Sequence, residues 1–221
     1  MIVLIDNGHG ENTPGKCSPD KRLREYKKAR EIARRLVNTL LSNGVEAHLL
    51  VPEETDVSLA ERCKRANKYC DKYGAKNVLL VSIHHNAAGA DGQWKSAGGW
   101  CIYTSPGQTS ADLLATDLWN AAEESLKDYI GSFDAHKAKG DYDSKQKPMR
   151  ADWSDKDPDY EARFYILLHT KCAAVLTENL FQDNKADVEY LLSEEGVRSI
   201  VQLHYKGITD YIKHTKARNT H

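Results

Sequence analysis

Ile2-Val3-Leu4-Ile5-Asp6-Asn7-Gly8-His9-Gly10 opens the chain: four apolar residues run straight into a histidine flanked by glycines. An unbroken apolar run suits a strand covered on both faces, and the glycines suit a turn, so the segment predicts a buried strand that delivers His9 onto a loop. Two other segments follow the same plan. The mostly apolar residues 78–83 end on His84, His85 and Asn86, and residues 173–177 end on Glu178. In open sheets with helices on both faces, ligands sit in the crevice beyond the carboxyl ends of the strands. His9, His84 and Glu178 are therefore expected to converge on one crevice, where imidazoles and a carboxylate point to a metal-dependent hydrolase.

Helical patterns separate these runs. Ala29, Ile32, Ala33, Leu36, Val37, Leu40 and Leu41 repeat at helical spacing up to Gly44, which suits the left-handed position past a helix end. Residues 45–51 read as a second strand. Ser58 and Glu61 have the spacing of a reciprocal cap, opening a helix that runs to about Tyr73. Further on, the pattern predicts a strand over 100–104, a helix over 110–130 closed by Gly131, a strand over 163–168 and a closing helix over 193–212. Strands alternating with helices imply an α/β fold: a single layered domain over residues 1–221, with a mainly parallel twisted sheet and helices on both faces. Residues 132–159 are polar and aperiodic, with Pro148, Trp153 and Pro158, and read as an insertion near the site.

Composition narrows the class. With 221 residues, 40% hydrophobic and 29% charged, the chain suits one globular domain with a full core. A formal net charge of -1 removes general attraction to nucleic acid or anionic membrane, and no apolar run is long enough for membrane insertion. Five cysteines without a CxxC pair suggest reduced thiols; Cys63 and Cys70, seven apart in a helix, are separated by roughly 10 Å, too far to bridge.

Hydrolytic zinc typically takes three protein ligands and keeps a position for water. His9 and one strand-end histidine supply nitrogens. For the carboxylate, Glu25 is attractive because it opens the first long helix close to the His9 loop, with Glu53, Glu54, Glu61 and Asp6 as competitors. Glu178 suits the general base, the alternative being a salt bridge to an arginine. Adjacent strand residues point to opposite faces, so only one of His84 and His85 is expected to reach a metal. His169 follows an apolar run and is open to lying near the site, with a packed or surface histidine as the favoured alternative; His48, His136, His204, His214 and His221 lack such context. Asn86 is open to either orienting substrate or capping a turn.

Five segments occur in order: Asp6-Asn7-Gly8-His9-Gly10, Leu23-Arg24-Glu25-Tyr26-Lys27, Val57-Ser58-Leu59-Ala60-Glu61-Arg62 with Ala66-Asn67, Val81-Ser82-Ile83-His84-His85-Asn86-Ala87, and Ala174-Val175-Leu176-Thr177-Glu178-Asn179-Leu180-Phe181. Together they resemble the zinc-dependent N-acetylmuramoyl-L-alanine amidases of bacterial wall remodelling and phage endolysins, over nearly the whole chain. The resemblance implies Zn2+ held by His9, Glu25 and His84, with Glu178 as the catalytic glutamate. It also implies a peptidoglycan (muropeptide) substrate, cut at the amide between N-acetylmuramic acid and L-alanine of the stem peptide. Asn7 stands where proline is frequent in that family, His85 where alanine is common and Asn179 where glycine is common. Two other readings compete: a zinc amidohydrolase or peptidase acting on another amide, and a noncatalytic wall-binding module. No signal peptide is read at Met1, so the expectation is an enzyme acting on the cell wall, either a phage-type lysin made in the cytoplasm or a secreted enzyme whose leader was removed.

Overall fold

The computed structural model describes residues 1–218; His221 lies outside them. In chain order the elements are β1 (Ile2–Asn7), α1 (Glu25–Ser42), β2 (Ala47–Leu49), α2 (Leu59–Tyr73), β3 (Val78–Asn86), β4 (Cys101–Thr104), α3 (Ala111–Ser125), α4 (Lys127–Ala138), β5 (Tyr160–Glu161), α5 (Tyr165–His169), β6 (Ala173–Phe181), α6 (Lys185–Leu192) and α7 (Glu194–Arg218). The sheet order is β2-β1-β3-β6-β4-β5. Four central and flanking strands, β2, β1, β3 and β6, run parallel; β4 pairs antiparallel with β6, and β5 pairs parallel with β4.

The period-2 alternation of each strand explains both the apolar runs and the layers. Val3, Ile5, Leu79, Val81, Ile83 and Val175 enter one core with α1, α3 and α7. Ile2, Leu4, Val78, Leu80, Ala174 and Leu176 enter a second core with α2 and α5. Because both faces are covered, every strand residue in these stretches gains burial, about 1.5–3 kcal/mol for each large aliphatic side chain. Continuing the same alternation places Asp6, Ser82, His84 and Glu178 on the α2–α5 side. The pairings Asn7 with Ile83 and His84 with Glu178 bring the ends of β1, β3 and β6 level with one another.

Several elements differ from their sequence patterns. The helix over 110–130 is bent at Leu126, which leaves helical geometry at φ -96° and ψ 21°. Its backbone bonds continue through the bend, Leu126 N donating to Ala122 O and Ile130 N to Leu126 O, so Gly131 lies inside α4 rather than closing a helix. Residues 163–168 form no strand. Ile166 and Leu167 are buried there while Tyr165 and Leu168 are exposed, two adjacent buried residues that fit one side of a helical turn rather than the alternation of a strand; the apolar composition of so short a run does not separate the two beforehand. The closing helix forms as α7 and runs on to Arg218, and a separate short helix, α6, precedes it, ending at Leu192 before Ser193.

Only half of the reciprocal cap forms. Ser58 Oγ accepts from Glu61 N at 3.3 Å, but the Glu61 carboxylate turns to Arg65 and Lys64. Gly44 does take the left-handed conformation after α1, at φ 75°.

The polar segment 132–159 is partly helical and packed. Its first residues belong to α4, buried Tyr142 stacks on Phe133 with centroids 3.9 Å apart, and Trp100 N donates to Pro148 O at 2.8 Å. Among the described residues no helix is long and apolar enough to cross a membrane, and all five cysteines are free.

Candidate metal centre

The loop after β1 is shaped by what has to lie against it. A Cβ on Gly8 would stand 2.4 Å from His84 Cε1, so only glycine lets that ring pack on the loop backbone. His9 follows with φ 60°, a left-handed conformation that costs a non-glycine residue of order 1–3 kcal/mol and persists only when the surroundings impose it. Two arginines do so: Arg62 Nη2 and Arg30 Nη2 both donate to His9 O, at 3.2 and 3.0 Å.

Arg62, only 2% exposed, is the centre of this support. Its Nη1 donates to Asp6 Oδ1 at 2.6 Å and Asn7 O at 2.7 Å, its Nε to Val57 O at 2.7 Å, and its Nη2 to Asp56 Oδ1 at 3.0 Å. Ser82 Oγ completes the pairing of Asp6 by donating to Oδ2 at 2.5 Å. Removing the guanidinium leaves a buried carboxylate without its counter-charge. Arg62→Ala is therefore expected to lose about 3–5 kcal/mol of stability, read as a lowered guanidinium unfolding midpoint; a loss under about 1 kcal/mol would show that Asp6 has another way to be satisfied.

Glu25 is the first residue of α1, set there by its backbone N donating to Lys16 O at 2.9 Å. Its side chain, 1% exposed, points inward between the two histidines. Oε1 lies 3.4 Å from His9 Nε2 and 3.3 Å from His84 Nδ1 and accepts from His85 N at 3.1 Å; Oε2 accepts from Gln182 Nε2 at 3.1 Å. Burial works against the charge of Glu25, but hydrogen bonds and attraction from His84 and His9 prevail and hold its carboxyl well below the usual range.

One ligand atom from each of His9, Glu25 and His84 lies within 4.8 Å of the others, and these three are the one such donor group among the described residues. Bonds of about 2.0–2.1 Å to a tetrahedral zinc ion require neighbouring donors about 3.3 Å apart. Two of the three spacings meet that requirement, and the donor types suit zinc.

The competing groups are engaged elsewhere. Glu53 pairs with Arg65, Glu54 with Arg34, Glu61 with Arg65, and Asp6 with Arg62. His85 faces away from His84, as strand alternation requires, with Nδ1 2.7 Å from Asn179 O; burial pushes its pKa down to about 4. His169 stacks on Tyr165 at the end of α5, outside the donor group. His48 pairs with Glu46, His136 with Asp141 and His214 with Asp117, and His204 is buried against Thr177 and Ile200. Asn86 caps its own turn, Oδ1 accepting from Ala87 N at 2.8 Å. The glycine-favouring backbone after Glu178 falls on Leu180, at φ 64°, one residue beyond Asn179.

Glu178 borders a cavity of about 510 Å3, together with His9, His84, Asp6, Ser82, Lys16, Leu59, Phe164 and the first α5 residues Tyr165 and Ile166. Its Oε2 is buried without a hydrogen-bond partner, and among the described residues no arginine, lysine or histidine lies within 4.0 Å, so the arginine salt bridge is not formed. Burial raises its pKa to about 7, opposed by the charge of His84 and aided by that of Glu25. A carboxyl group held near neutrality beside a donor triad is suited to taking and returning a proton.

Sequence reasoning assigned no role to Arg30, Arg62, Gln182 or Lys16. Their signal was thin: each partner is distant in the chain, and a buried arginine on a helix looks like a solvated one until the fold closes over it.

Comparisons with known proteins place the chain in a family. The family model described as N-acetylmuramoyl-L-alanine amidase (Amidase_3) matches residues 3–210. The chain is 28% identical over 208 residues to N-acetylmuramoyl-L-alanine amidase CwlM of Bacillus licheniformis, covering 93% of this chain and 66% of that protein. It is 25% identical over 213 residues to the endolysin of Bacillus phage SPP1, covering 96% and 66%. It thus spans just under two thirds of the length of these curated relatives. The crystal structure of N-acetylmuramoyl-L-alanine amidase from Clostridium difficile 630 shares the fold, with a TM-score of 0.73, 21% identity and 96% of each chain covered.

Proposed function

The chain belongs to the N-acetylmuramoyl-L-alanine amidase family, and from that premise we propose that it is a zinc-dependent peptidoglycan hydrolase cutting the amide between N-acetylmuramic acid and L-alanine of the stem peptide. The observation that carries the proposal is the meeting of His9, Glu25 and His84, with Glu25 Oε1 3.3–3.4 Å from each imidazole, beside the unpaired carboxyl of Glu178. In this reading the domain is catalytic and works on the cell wall.

His9 Nε2, His84 Nδ1 and Glu25 Oε1 would hold Zn2+, which when bound supplies Lewis acidity toward a water molecule and the scissile carbonyl. Gln182 and the His85 amide occupy the remaining lone pairs of Glu25 and keep its carboxylate from rotating. Glu178 takes the proton of the attacking water and delivers it to the departing alanine nitrogen, which needs a group able to exist in both protonation states near neutral pH. Leu59, Phe164, Tyr165 and Ile166 give the cavity an apolar wall that excludes water from one side of the substrate.

Digestion of purified peptidoglycan by the zinc-loaded protein, followed by mass spectrometry of the products, tests the bond assignment. Expected products are glycan strands bearing unsubstituted lactyl groups and peptides with free alanine amino termini. Intact walls, or cleavage within the peptide or the glycan, would refute it.

A further inference from the structure

Arg150 is a cation without a counter-charge at the same end of the sheet. Its backbone is fixed along the edge of β4, Trp100 N donating to Pro148 O at 2.8 Å and Arg150 N to Trp100 O at 2.9 Å. Gly99, at φ 108°, makes room for it: a Cβ there would stand 3.1 Å from Arg150 Cγ and 2.4 Å from Lys147 O. The guanidinium carbon lies 4.9 Å from the centroid of Phe181, a cation–π contact that also orients the planar group.

Register places this group across β4 from the candidate base. Cys101 pairs with Glu178 and Tyr103 with Leu176, so these side chains share the α5 face of the sheet. The Arg150 charge acts on Cys101, Tyr103 and Tyr160, easing the upward push that burial exerts on their ionisations. Arg150 lies across β4 from Glu178, so their backbones are two strand spacings apart, roughly 9–10 Å, a gap narrowed by the Arg150 side chain reaching over Phe181 of β6.

Its pairing is what sets it apart. Arg150 Nη1 is buried with no acceptor, and among the described residues no carboxylate lies within 4.0 Å of the guanidinium. By contrast, Arg62 has Asp6 and Asp56, Arg65 has Glu53 and Glu61, and Arg34 has Glu54. Half-burying a guanidinium without an anion is unfavourable, and a stacked, pre-oriented guanidinium is the side chain best shaped for a bidentate carboxylate.

We propose that Arg150 is a specificity-determining residue that binds a carboxylate of the substrate's stem peptide. The inference rests on the amidase reading of the neighbouring site and adds the chemical class its substrate must carry: an anionic peptide rather than a neutral one. It also gives the polar segment 132–159 a task, that of delivering this cation to the sheet edge.

The test measures binding of released stem peptides to the zinc-loaded protein by calorimetry, comparing a peptide with free carboxylates and the same peptide with those groups converted to carboxamides. Wild-type protein is expected to prefer the carboxylate form by about 10–100-fold, the range for a hydrogen bond to a charged group. Arg150→Gln should bring that ratio to about 1, and Arg150→Lys, which keeps charge but loses the fork, should fall between; thermal melts of both variants check folding. Equal affinity of wild-type protein for both peptides, or an unchanged ratio in both variants, overturns the proposal. Carboxylate-selective binding lost in the variants, together with failure to cleave peptidoglycan, would sink the amidase reading and leave the Arg150 assignment standing.

Discussion

Glu178→Gln is expected to lower kcat on peptidoglycan by about 10²–10⁴-fold while zinc content and fold stay as they are, the range for removing a positioned proton-transfer group. Glutamine keeps the size of the side chain and its reach into the cavity, so substrate binding should change little and the loss should fall on kcat rather than KM. Stability should move the other way. The Glu178 carboxyl titrates near 7 in the folded protein against an ordinary value of 4.5, so ionising it in place costs stability. With the folded pKa raised, the folded state holds more protons than the unfolded one between those values, and stability declines as pH rises from about 4.5 to about 7. The metal-free glutamine variant lacks that decline and should melt at an equal or higher temperature at neutral pH. Cation charge at the triad draws the Glu178 value downward, so the acidic limb of the wild-type rate profile should lie below about 7. A variant that keeps wild-type kcat, or that loses its zinc, would show that Glu178 is not the proton carrier.

Loss of a ligand should be more severe. In His84→Ala the imidazole contacting Glu25 at 3.3 Å disappears, leaving two protein donors. Disturbing the partners behind a ligand already costs about 10–100-fold in metal affinity, so deleting the ligand itself should exceed that and abolish turnover at micromolar zinc. His85→Ala is the internal control, because His85 points to the other face of the sheet and offers its backbone N, not its ring, to Glu25. Competition with a chromophoric chelator gives both affinities. Equal losses in the two variants would contradict the assignment of His84 over its neighbour.

How far the chain could be read in advance follows from the range of the forces involved. The runs at 2–5, 78–83 and 173–177 were legible as strands because burial on both faces leaves an unbroken apolar signature. Parity along the strand showed that only one of His84 and His85 could reach a metal; the choice of His84 came from the family resemblance, and the pairing of His84 with Glu178 is visible only in the sheet register. The antiparallel direction of β4 was not legible, because it depends on pairing between Cys101 and Glu178 across a long separation. Nor was α5, too short for periodicity to separate from a strand. The support beneath the site was hidden for a related reason: Arg62 reads as one basic residue among many on α2 until Asp6, Asp56 and the His9 carbonyl close around it. Arg150 was illegible in the opposite sense, since an absent partner is visible only in three dimensions.

The most direct test of the central claim is anomalous diffraction at the zinc edge from crystals of the protein loaded with one equivalent of Zn2+. The account predicts a single strong peak in bonding contact, about 2.0–2.2 Å, with His9 Nε2, His84 Nδ1 and a Glu25 carboxylate oxygen, and with no fourth protein ligand. A fully loaded crystal whose peak lies away from these three side chains would contradict it.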